Sequence, residues 1–430
     1  MKGTLCVVTL VVLALGAGIL PARPEKTPGE IYASAQEAYK EKDYKRFLEL
    51  SRQLERLLPC NRIVNYNLAV AYSLNKDKDN TLSQLKRSLA LNAVDTIATN
   101  PDFEWVRTTP EFKDIVATAD ELGKPLLRSK TAFVIKQRDL HPESIAFDPQ
   151  TGDFYIGSVH LRKIVKRDKN GKMSDFVSSA SGVLDAVMGL KLDAKRRQLW
   201  VTTVATPHMV GFKPEELRRT SIVGFNLEDG RCVGKKILHE KENHMFGDLA
   251  IHPNGDIYVT DSSGKTVYRY RPPGGKLEMV VTDDSFYSLQ GLDFSPGGNL
   301  LFMEEYGSGV YVVDVAAKKV LWRIQHSVDA PLSGIDGLYF YKNSLIGIQN
   351  GVLPNRVSQF FLDKEFKKVE RVRVLERNHP KYNEPTLGVL VDGHLFYIAN
   401  SQWKHYEKNG AIFPYDKLED IVILKLPLAD

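Results

Sequence analysis

The stretch Gly247–Ser262, GDLAIHPNGDIYVTDS, has the pattern of one β-hairpin. An apolar run is followed by Pro-Asn-Gly at positions 253–255, a combination typical of a turn. Apolar residues then stand at alternate positions, Ile257 and Val259, and alternation with period two predicts a strand with one buried face. The stretch therefore predicts two antiparallel strands joined by a short turn.

The same pattern occurs six times in the chain. The copies begin at residues 143, 188, 247, 290, 336 and 387, so the successive spacings are 45, 59, 43, 46 and 51 residues. A repeat of roughly 40–50 residues with about four strands is typical of a β-propeller blade. Six copies predict six blades, in which each hairpin supplies the two inner strands. The copies are Glu143–Val159, Met188–Thr203, Gly247–Ser262, Gln290–Glu304, Asp336–Gln349 and Leu387–Ser401.

The segments between the copies predict the outer strands and the closure of the ring. Thr266–Arg271, Val310–Val315 and Val357–Leu362 have the composition of strands. Thr131–Lys136 precedes the first copy and can pair with the last strand, Ile421–Leu428. Such pairing would remove the exposed edges of the sheets at the two ends of the repeat. We therefore expect an all-β six-bladed β-propeller over residues 130–430.

The composition is that of an ordinary globular protein. The chain has 430 residues, of which 43% are hydrophobic and 26% charged, and its length allows two or three domains. The formal net charge of +5 is spread along the sequence, without a run of basic residues interleaved with aromatic ones. This distribution argues against a nucleic-acid partner.

The first 22 residues have the features of an export signal. Lys2 is followed by an apolar run from Leu5 to Leu20, and small residues are frequent towards its end. We expect this segment, 1–22, to direct the protein to the periplasm or the exterior. An uncleaved membrane anchor is the alternative, because the apolar run is only slightly shorter than a membrane-spanning helix.

Residues 28–122 change to a helical period and predict a small all-α domain. Its segment 67–91, NLAVAYSLNKDKDNTLSQLKRSLAL, resembles a tetratricopeptide repeat, with Ala69 and Ala71 where two helices would pack closely. The resemblance covers at most two repeats. Such helical pairs pack on a neighbouring domain or bind a protein partner, and we expect packing because a groove of two repeats is short.

The geometry of a propeller indicates where chemistry could occur. The first residue of each innermost strand faces the central channel, and these positions are Glu143, Met188, Gly247, Gln290, Asp336 and Thr386 or Leu387. Two carboxylates, Glu143 and Asp336, and the amide oxygen of Gln290 form a set of hard oxygen ligands. This set suits Ca²⁺, Mg²⁺ or Mn²⁺.

Several of the copies resemble the blade starts of the SMP-30/gluconolactonase/LRE-like family of six-bladed propellers, over about residues 130–430. The motifs are PESIAFDP, GDLAIHPNGDIYVTDS, QGLDFSP and DGLYF. The resemblance implies a hydrolase of the lactonase or esterase type, since the family includes lactonases and related calcium-dependent phosphotriesterases, whose metal is held by a Glu, two Asn and an Asp. Glu143 and Asp336 match this pattern, whereas Gln290 and Gly247 stand in place of the two Asn, and Asp248 follows Gly247. We therefore expect a Ca²⁺ site formed by Glu143, Gln290, Asp336 and Asp248.

Four further residues are candidates for substrate binding at the mouth of the channel. His208 lies on a predicted loop and could act as a base or a ligand, and Glu305 follows the end of a strand. Arg356 could hold an anionic substrate, and Glu384 places another carboxylate near the channel. For His208 and Glu305, simple exposure to solvent is the alternative interpretation.

Two classes of function remain open at this point. In the first, the protein hydrolyses a lactone or an ester, with Asp336 or Glu143 as the base. In the second, it is a non-catalytic exported propeller, and the helical domain contacts a protein partner. Because propellers serve both roles, the fold alone does not decide between them.

Overall fold

The structure is a computed structural model and describes residues 26–93, 97–240, 243–327 and 330–428. The predicted export signal at 1–22 lies outside these residues. Within the described ranges, no helix has both the length and the apolar character needed to span a membrane.

Helices occupy the first part of the described chain. Each begins next to a residue whose side chain accepts a hydrogen bond from the first turn, which is the usual way to satisfy free N–H groups at a helix start. Lys42, with φ of 61°, lies in the break between the first two helices. The helices are α1 (Pro28–Lys40), α2 (Tyr44–Leu57), α3 (Arg62–Leu74), α4 (Lys78–Leu89) and α5 (Pro110–Gly123).

The remaining described residues form six four-stranded antiparallel sheets, the blades of a propeller. Blades 1 to 3 contain β2 (Pro142–Asp148), β3 (Asp153–Ser158), β4 (Ile164–Arg167) and β5 (Met173–Val177); β6 (Ala186–Asp193), β7 (Gln198–Val204), β8 (Thr220–Asn226) and β9 (Cys232–Leu238); and β10 (Phe246–Ile251), β11 (Ile257–Asp261), β12 (Thr266–Tyr270) and β13 (Leu277–Thr282). Blades 4 and 5 contain β14 (Leu289–Phe294), β15 (Leu300–Glu305), β16 (Gly309–Asp314) and β17 (Lys319–Arg323); and β18 (Ile335–Tyr341), β19 (Ser344–Gln349), β20 (Arg356–Leu362) and β21 (Val369–Arg377).

Blade 6 joins the two ends of the propeller. It contains β22 (Gly388–Val391), β23 (His394–Ile398), β24 (Ile421–Pro427) and, as its outermost strand, β1 (Lys130–Ile135). β1 runs antiparallel to β24, with Ile135 opposite Ile421 and Phe133 opposite Ile423. The fold is therefore the predicted six-bladed propeller, and its ring is closed by the predicted strand.

The hairpin at 247–262 shows how the blades pack. Gly255, with φ of +97°, occupies the turn in a conformation that glycine adopts without strain. Both faces of β11 are buried, although the alternation predicts only one buried face. Tyr258 packs on Phe294 of blade 4, with ring centroids 5.1 Å apart, while Val259 belongs to the core shared with blade 2. Each inner strand thus lies between two neighbouring blades.

The helices pack on the propeller next to blades 4 and 5. The Cys60 N–H donates to the Gly307 carbonyl at 3.0 Å, in the loop after β15. The Leu353 N–H donates to the Leu91 carbonyl at 2.8 Å, in the loop after β19. Both loops lie at the end of the ring where the inner strands begin. The helical region therefore packs on the face of the propeller that carries the predicted site.

Candidate functional site

The inner strands of all six blades begin at the same end of the channel, which we call the upper channel. Two contacts show that their first residues converge. Thr386 Oγ1 donates to the Glu143 carbonyl at 3.0 Å, which joins blade 6 to blade 1. A Cβ atom placed on Gly247 would lie 4.0 Å from Gln290 Oε1, on the next blade. The first residues of blades 6 and 1, and those of blades 3 and 4, therefore lie beside each other at this end of the channel.

Glu143, the second residue of β2, is 8% exposed. Its Oε2 accepts hydrogen bonds from Ser401 Oγ at 2.8 Å and from Trp403 Nε1 at 3.0 Å. Burial raises the pKa of Glu143 well above its usual value, and the negative charge of Asp336 adds to this effect. Both hydrogen bonds are made to one oxygen, so the carboxyl group is oriented while Oε1 stays available to a ligand.

Asp336, the second residue of β18, is held in a similar way. Its Oδ2 accepts a hydrogen bond from Asn350 Nδ2 at 2.8 Å, and Asn350 Oδ1 in turn accepts one from the Tyr306 hydroxyl at 2.7 Å. Burial raises the pKa of Asp336 to about 7, with further contributions from the negative charges of Asp248 and Glu384. The upper channel thus contains two carboxyl groups that resist ionisation next to each other.

The amide oxygen of Gln290 lies beside Gly247 on the neighbouring blade. Its Nε2 donates to Ser288 Oγ at 2.8 Å, and this bond fixes the orientation of the amide group. Gly247, which has no side chain, leaves a gap beside Gln290 Oε1. The Cβ of a larger residue at this position would lie 3.0 Å from Ser262 Oγ, so a small shift of that serine would admit it.

Asp248 does not lie with the other three predicted ligands. Its Oδ2 is 3.5 Å from Lys191 Nζ, and this ammonium group lies 4.9 Å from the centroid of the Tyr339 ring. Lys191 belongs to blade 2 and Tyr339 to blade 5, so the lysine side chain reaches across the channel. The charge of Asp248 is therefore paired with a cation of the chain itself, below the level of Glu143 and Asp336.

His208 forms part of an aromatic wall beside Glu143. Its ring packs edge-on against Trp403, at 5.3 Å between centroids, and against Tyr406, at 4.7 Å. Trp403 also donates the hydrogen bond to Glu143, so the wall continues into the upper channel. Burial lowers the pKa of His208, which favours its neutral form. Its Nδ1 contacts Thr206 Oγ1 at 2.9 Å.

The two other acidic candidates differ in their surroundings. Glu384 is half-buried, and its carbonyl accepts a hydrogen bond at 3.1 Å from the N–H of Ser401, the residue whose hydroxyl donates to Glu143, so it lies near the upper channel. Burial raises the pKa of Glu384 itself. Glu305, in contrast, is fully buried, and its Oε1 accepts from the N–H groups of Tyr287 at 3.2 Å and Ser288 at 3.1 Å. Through these bonds Glu305 holds the loop before β14.

Arg356 lies at the contact between blade 5 and the helices. Its Nη2 donates to the Ala90 carbonyl at 2.8 Å, at the end of α4, and its Nε donates to Gln349 Oε1 at 3.0 Å. Among the described residues, Arg356 makes no contact with the residues of the upper channel, where its predicted role was to hold a substrate. Its position points instead to the interface of the two parts of the chain.

Sequence reasoning did not assign roles to the residues that orient the two carboxyl groups. Trp403 and Ser401 come from the long segment between β23 and β24, and Asn350 follows β19. Their position directly after an inner hairpin is the sequence feature that could have identified them. In each hairpin the second strand ends beside the start of the first strand, so polar residues that follow it lie near the upper channel. Glu304 was also missed. It is fully buried on β15, and its Oε2 has no hydrogen-bond partner.

The three remaining predicted ligands fit an oxygen-preferring cation. Among the described residues, Glu143 Oε1, Asp336 Oδ1 and Gln290 Oε1 accept no hydrogen bond, and they supply two carboxylates and one amide. Ca²⁺ and Mg²⁺ take such oxygen donors and fill the rest of their coordination shell with water. The described part of the chain has no group of three or more His, Cys, Asp or Glu side chains arranged to hold a metal ion.

Comparisons with known proteins give matches among solved structures. No family model and no curated protein matches the sequence. A gluconolactonase from Xanthomonas campestris is 13% identical, with 72% of this chain and 98% of that chain covered and a TM-score of 0.47. A luciferin-regenerating enzyme is 12% identical (71% and 95% covered, TM-score 0.47), and a PQQ-bound aldose sugar dehydrogenase from Streptomyces coelicolor is 14% identical (71% and 98% covered, TM-score 0.46). These likenesses carry no information on the chemistry of the channel, which rests on the geometry above.

Proposed function

We propose that the protein is an exported hydrolase of small lactones or esters that acts in the upper channel. The observation that carries the proposal is the pair of buried carboxyl groups, Glu143 and Asp336, each with one oxygen oriented by hydrogen bonds and one left free. Paired titratable groups with perturbed pKa values in a cleft are typical of sites for acid–base chemistry. We propose Ca²⁺ as the cofactor, with Mg²⁺ and Mn²⁺ as alternatives, held by Glu143, Gln290 and Asp336.

Hydrolysis needs a base for water and an acid for the leaving group. A carboxylate at Glu143 or Asp336 accepts a proton from water as the new carbon–oxygen bond forms, and the proton then passes to the leaving oxygen as the old bond breaks. Without a cation, burial raises the pKa of both groups, so each of them, once ionised, is a stronger base than an exposed carboxylate. A divalent cation at this site would polarise the carbonyl group of the substrate and stabilise the negative charge that develops on it.

The residues around the two carboxyl groups have two different roles in the proposed site. Trp403 and Ser401 orient Glu143, and Asn350 orients Asp336. The aromatic wall of Trp403, Tyr406 and His208 provides apolar surface for the body of the substrate. Such a site selects uncharged or weakly polar molecules, because the acidic groups of the channel repel anions.

A panel of lactones and aryl esters tests the proposal. We expect hydrolysis by the full chain with Ca²⁺ and a loss of activity when the ion is chelated. Glu143→Gln keeps the shape of the side chain but removes the base, and we expect its kcat to fall by about 10²–10⁴-fold. Glu376→Gln is the matched control, since Glu376 is a buried carboxyl group that binds the backbone of Arg128 and Ser129 away from the channel.

Two results would contradict the proposal. One is the absence of hydrolysis by the folded wild type on the whole panel with Ca²⁺, Mg²⁺ or Mn²⁺. The other is a Glu143→Gln protein that is folded and as active as the Glu376→Gln control. In either case a non-catalytic propeller becomes the better account of this chain.

A further inference from the structure

A cavity of about 260 Å³ lies between the helices and blade 5, outside the channel. Its walls come from α4, α5, the segment before β18, and strands β19 to β21. Most of the lining is apolar, and three cationic side chains face it, whereas no carboxylate of the described residues lines it. The apolar members are Leu89, Ala90, Leu122, Ala330, Pro331, Phe360, Val372 and Val374, and the cationic ones are Lys86, Arg356 and Arg377.

Arg356 is a buried cation that has no carboxylate partner among the described residues. It is 8% exposed, and its hydrogen bonds go to the neutral acceptors Gln349 Oε1 and the Ala90 carbonyl. No carboxylate in the described part of the chain forms an ion pair with it. Burial lowers the pKa of Arg356 to about 10, and the positive charge of Arg377 adds to this effect. A buried charge is stable in a protein only when other groups compensate it. An anion bound beside this guanidinium group would supply that compensation.

Arg377 brings a second guanidinium group to the same cavity. Its Nε donates to the Lys124 carbonyl at 3.1 Å and its Nη2 to the Glu121 carbonyl at 3.2 Å, both at the end of α5. The carboxylate of Glu121 is itself paired with Lys124. Burial lowers the pKa of Arg377. Two guanidinium groups therefore share one cavity, and each is bonded to backbone carbonyl or amide oxygens.

We propose that this cavity binds a small organic carboxylate with an apolar body. Guanidinium groups bind planar carboxylates through paired hydrogen bonds, and Lys86 at the rim adds a third positive charge. The aliphatic and aromatic walls would enclose the rest of the ligand. The volume lies below the roughly 300–1,000 Å³ of pockets for drug-sized ligands, which favours a short chain or a single ring. The inference does not depend on hydrolysis in the channel.

Calorimetric titration of the full chain tests the proposal with three probes. Hexanoate combines a carboxylate with an apolar chain, hexanamide has the same shape without the charge, and inorganic phosphate has charge without an apolar body. We expect hexanoate to bind about tenfold or more tightly than either of the others. Equal or weaker binding of hexanoate relative to hexanamide would overturn the proposal, and so would phosphate binding as tight as that of hexanoate.

Variants locate the binding in this cavity. Arg356→Gln removes the central charge and should weaken hexanoate about tenfold or more. Because Arg356 also contacts Ala90, a second variant, Val374→Phe, fills the cavity while leaving both guanidinium groups, and it should abolish binding. Arg371→Gln is the control, since Arg371 is an exposed arginine on β21, the strand of Val374, and its substitution gives the same change in charge as Arg356→Gln. Hexanoate binding that is unchanged in folded Val374→Phe, or lost in Arg371→Gln, would contradict the assignment.

Discussion

At the scale of single residues, the protonation of Glu304 links the stability of the fold to pH. It is fully buried on β15, where its Oε1 accepts from the Ile335 N–H at 3.0 Å and its Oε2 has no partner. Burial raises its pKa well above the usual 4.5, and the charges of Glu305 and Asp336 contribute. The folded protein therefore holds a proton on Glu304 in a pH range where the unfolded chain releases it.

This difference predicts a loss of stability as the pH rises. Below about pH 4.5 Glu304 is protonated in both states, and its contribution is fully present. As the pH rises towards the raised pKa of the folded state, the unfolded chain gains an ionised group and the free energy of unfolding falls. Glu304→Gln keeps the acceptor for the Ile335 N–H and has no charge. Between pH 5 and 8 its melting temperature should therefore fall a few degrees less than that of wild type.

Thermal unfolding of wild type and Glu304→Gln over this pH range, with a chelator present, checks the prediction. Glu376→Gln, whose position is remote from the channel, shows what the same substitution does at another buried carboxyl group. If the melting temperatures of wild type and Glu304→Gln change in the same way with pH, Glu304 is ionised in the folded protein and the prediction is wrong.

Single residues also mark the limit of what the sequence could predict. Glu143 and Asp336 were located because an inner strand fixes where its first residues point. Asp248 and Arg356 were given roles in the channel, but their partners, Lys191 and Ala90, are distant in sequence, and no local pattern predicts such pairs. The orienting role of Trp403 depends on the path of a loop that has no period at all.

At the scale of elements, the closure of the ring depends on β1. The register pairs five residues of β1 with β24, and Ile135 is buried against Ile421 and Ile423. Without β1, the edge of β24 would be exposed, and exposed edges of this kind invite aggregation. The inner hairpins and the closing strand were predictable because they follow a period of two and repeat. The burial of both faces was not, since it depends on how blades stack.

Two shortened chains test the role of this strand. A chain that begins at residue 126 keeps β1, whereas one that begins at residue 137 lacks it, and both lack the helices. We expect the longer one to keep a β-type circular dichroism spectrum and cooperative melting, and the shorter one to aggregate or melt without cooperativity. Equal stability of the two would mean that β24 does not need its partner.

At the scale of the whole molecule, the helices border the site. Leu58 packs against Gly307, where a Cβ atom would lie 2.9 Å from its Cδ2. Gly307 directly follows Tyr306, which holds Asn350 and through it Asp336. The helical region is thus linked to the Asp336 carboxyl group through three successive contacts. Packing of this region on the propeller was expected from its length, but its location on the site face was not visible in the sequence.

The most direct test of the central claim is a calorimetric titration of the full chain with Ca²⁺. We expect wild type to bind the ion and Asp336→Asn, which removes one charged ligand, to lose affinity by orders of magnitude. Gln290→Asn should be tolerated, Gly247→Asn should tighten binding because it adds an amide beside Gln290 Oε1, and Glu376→Gln should bind like wild type. A folded wild type that binds neither Ca²⁺ nor Mg²⁺ nor Mn²⁺ at millimolar concentrations, or binds equally well after Asp336→Asn, would contradict the account.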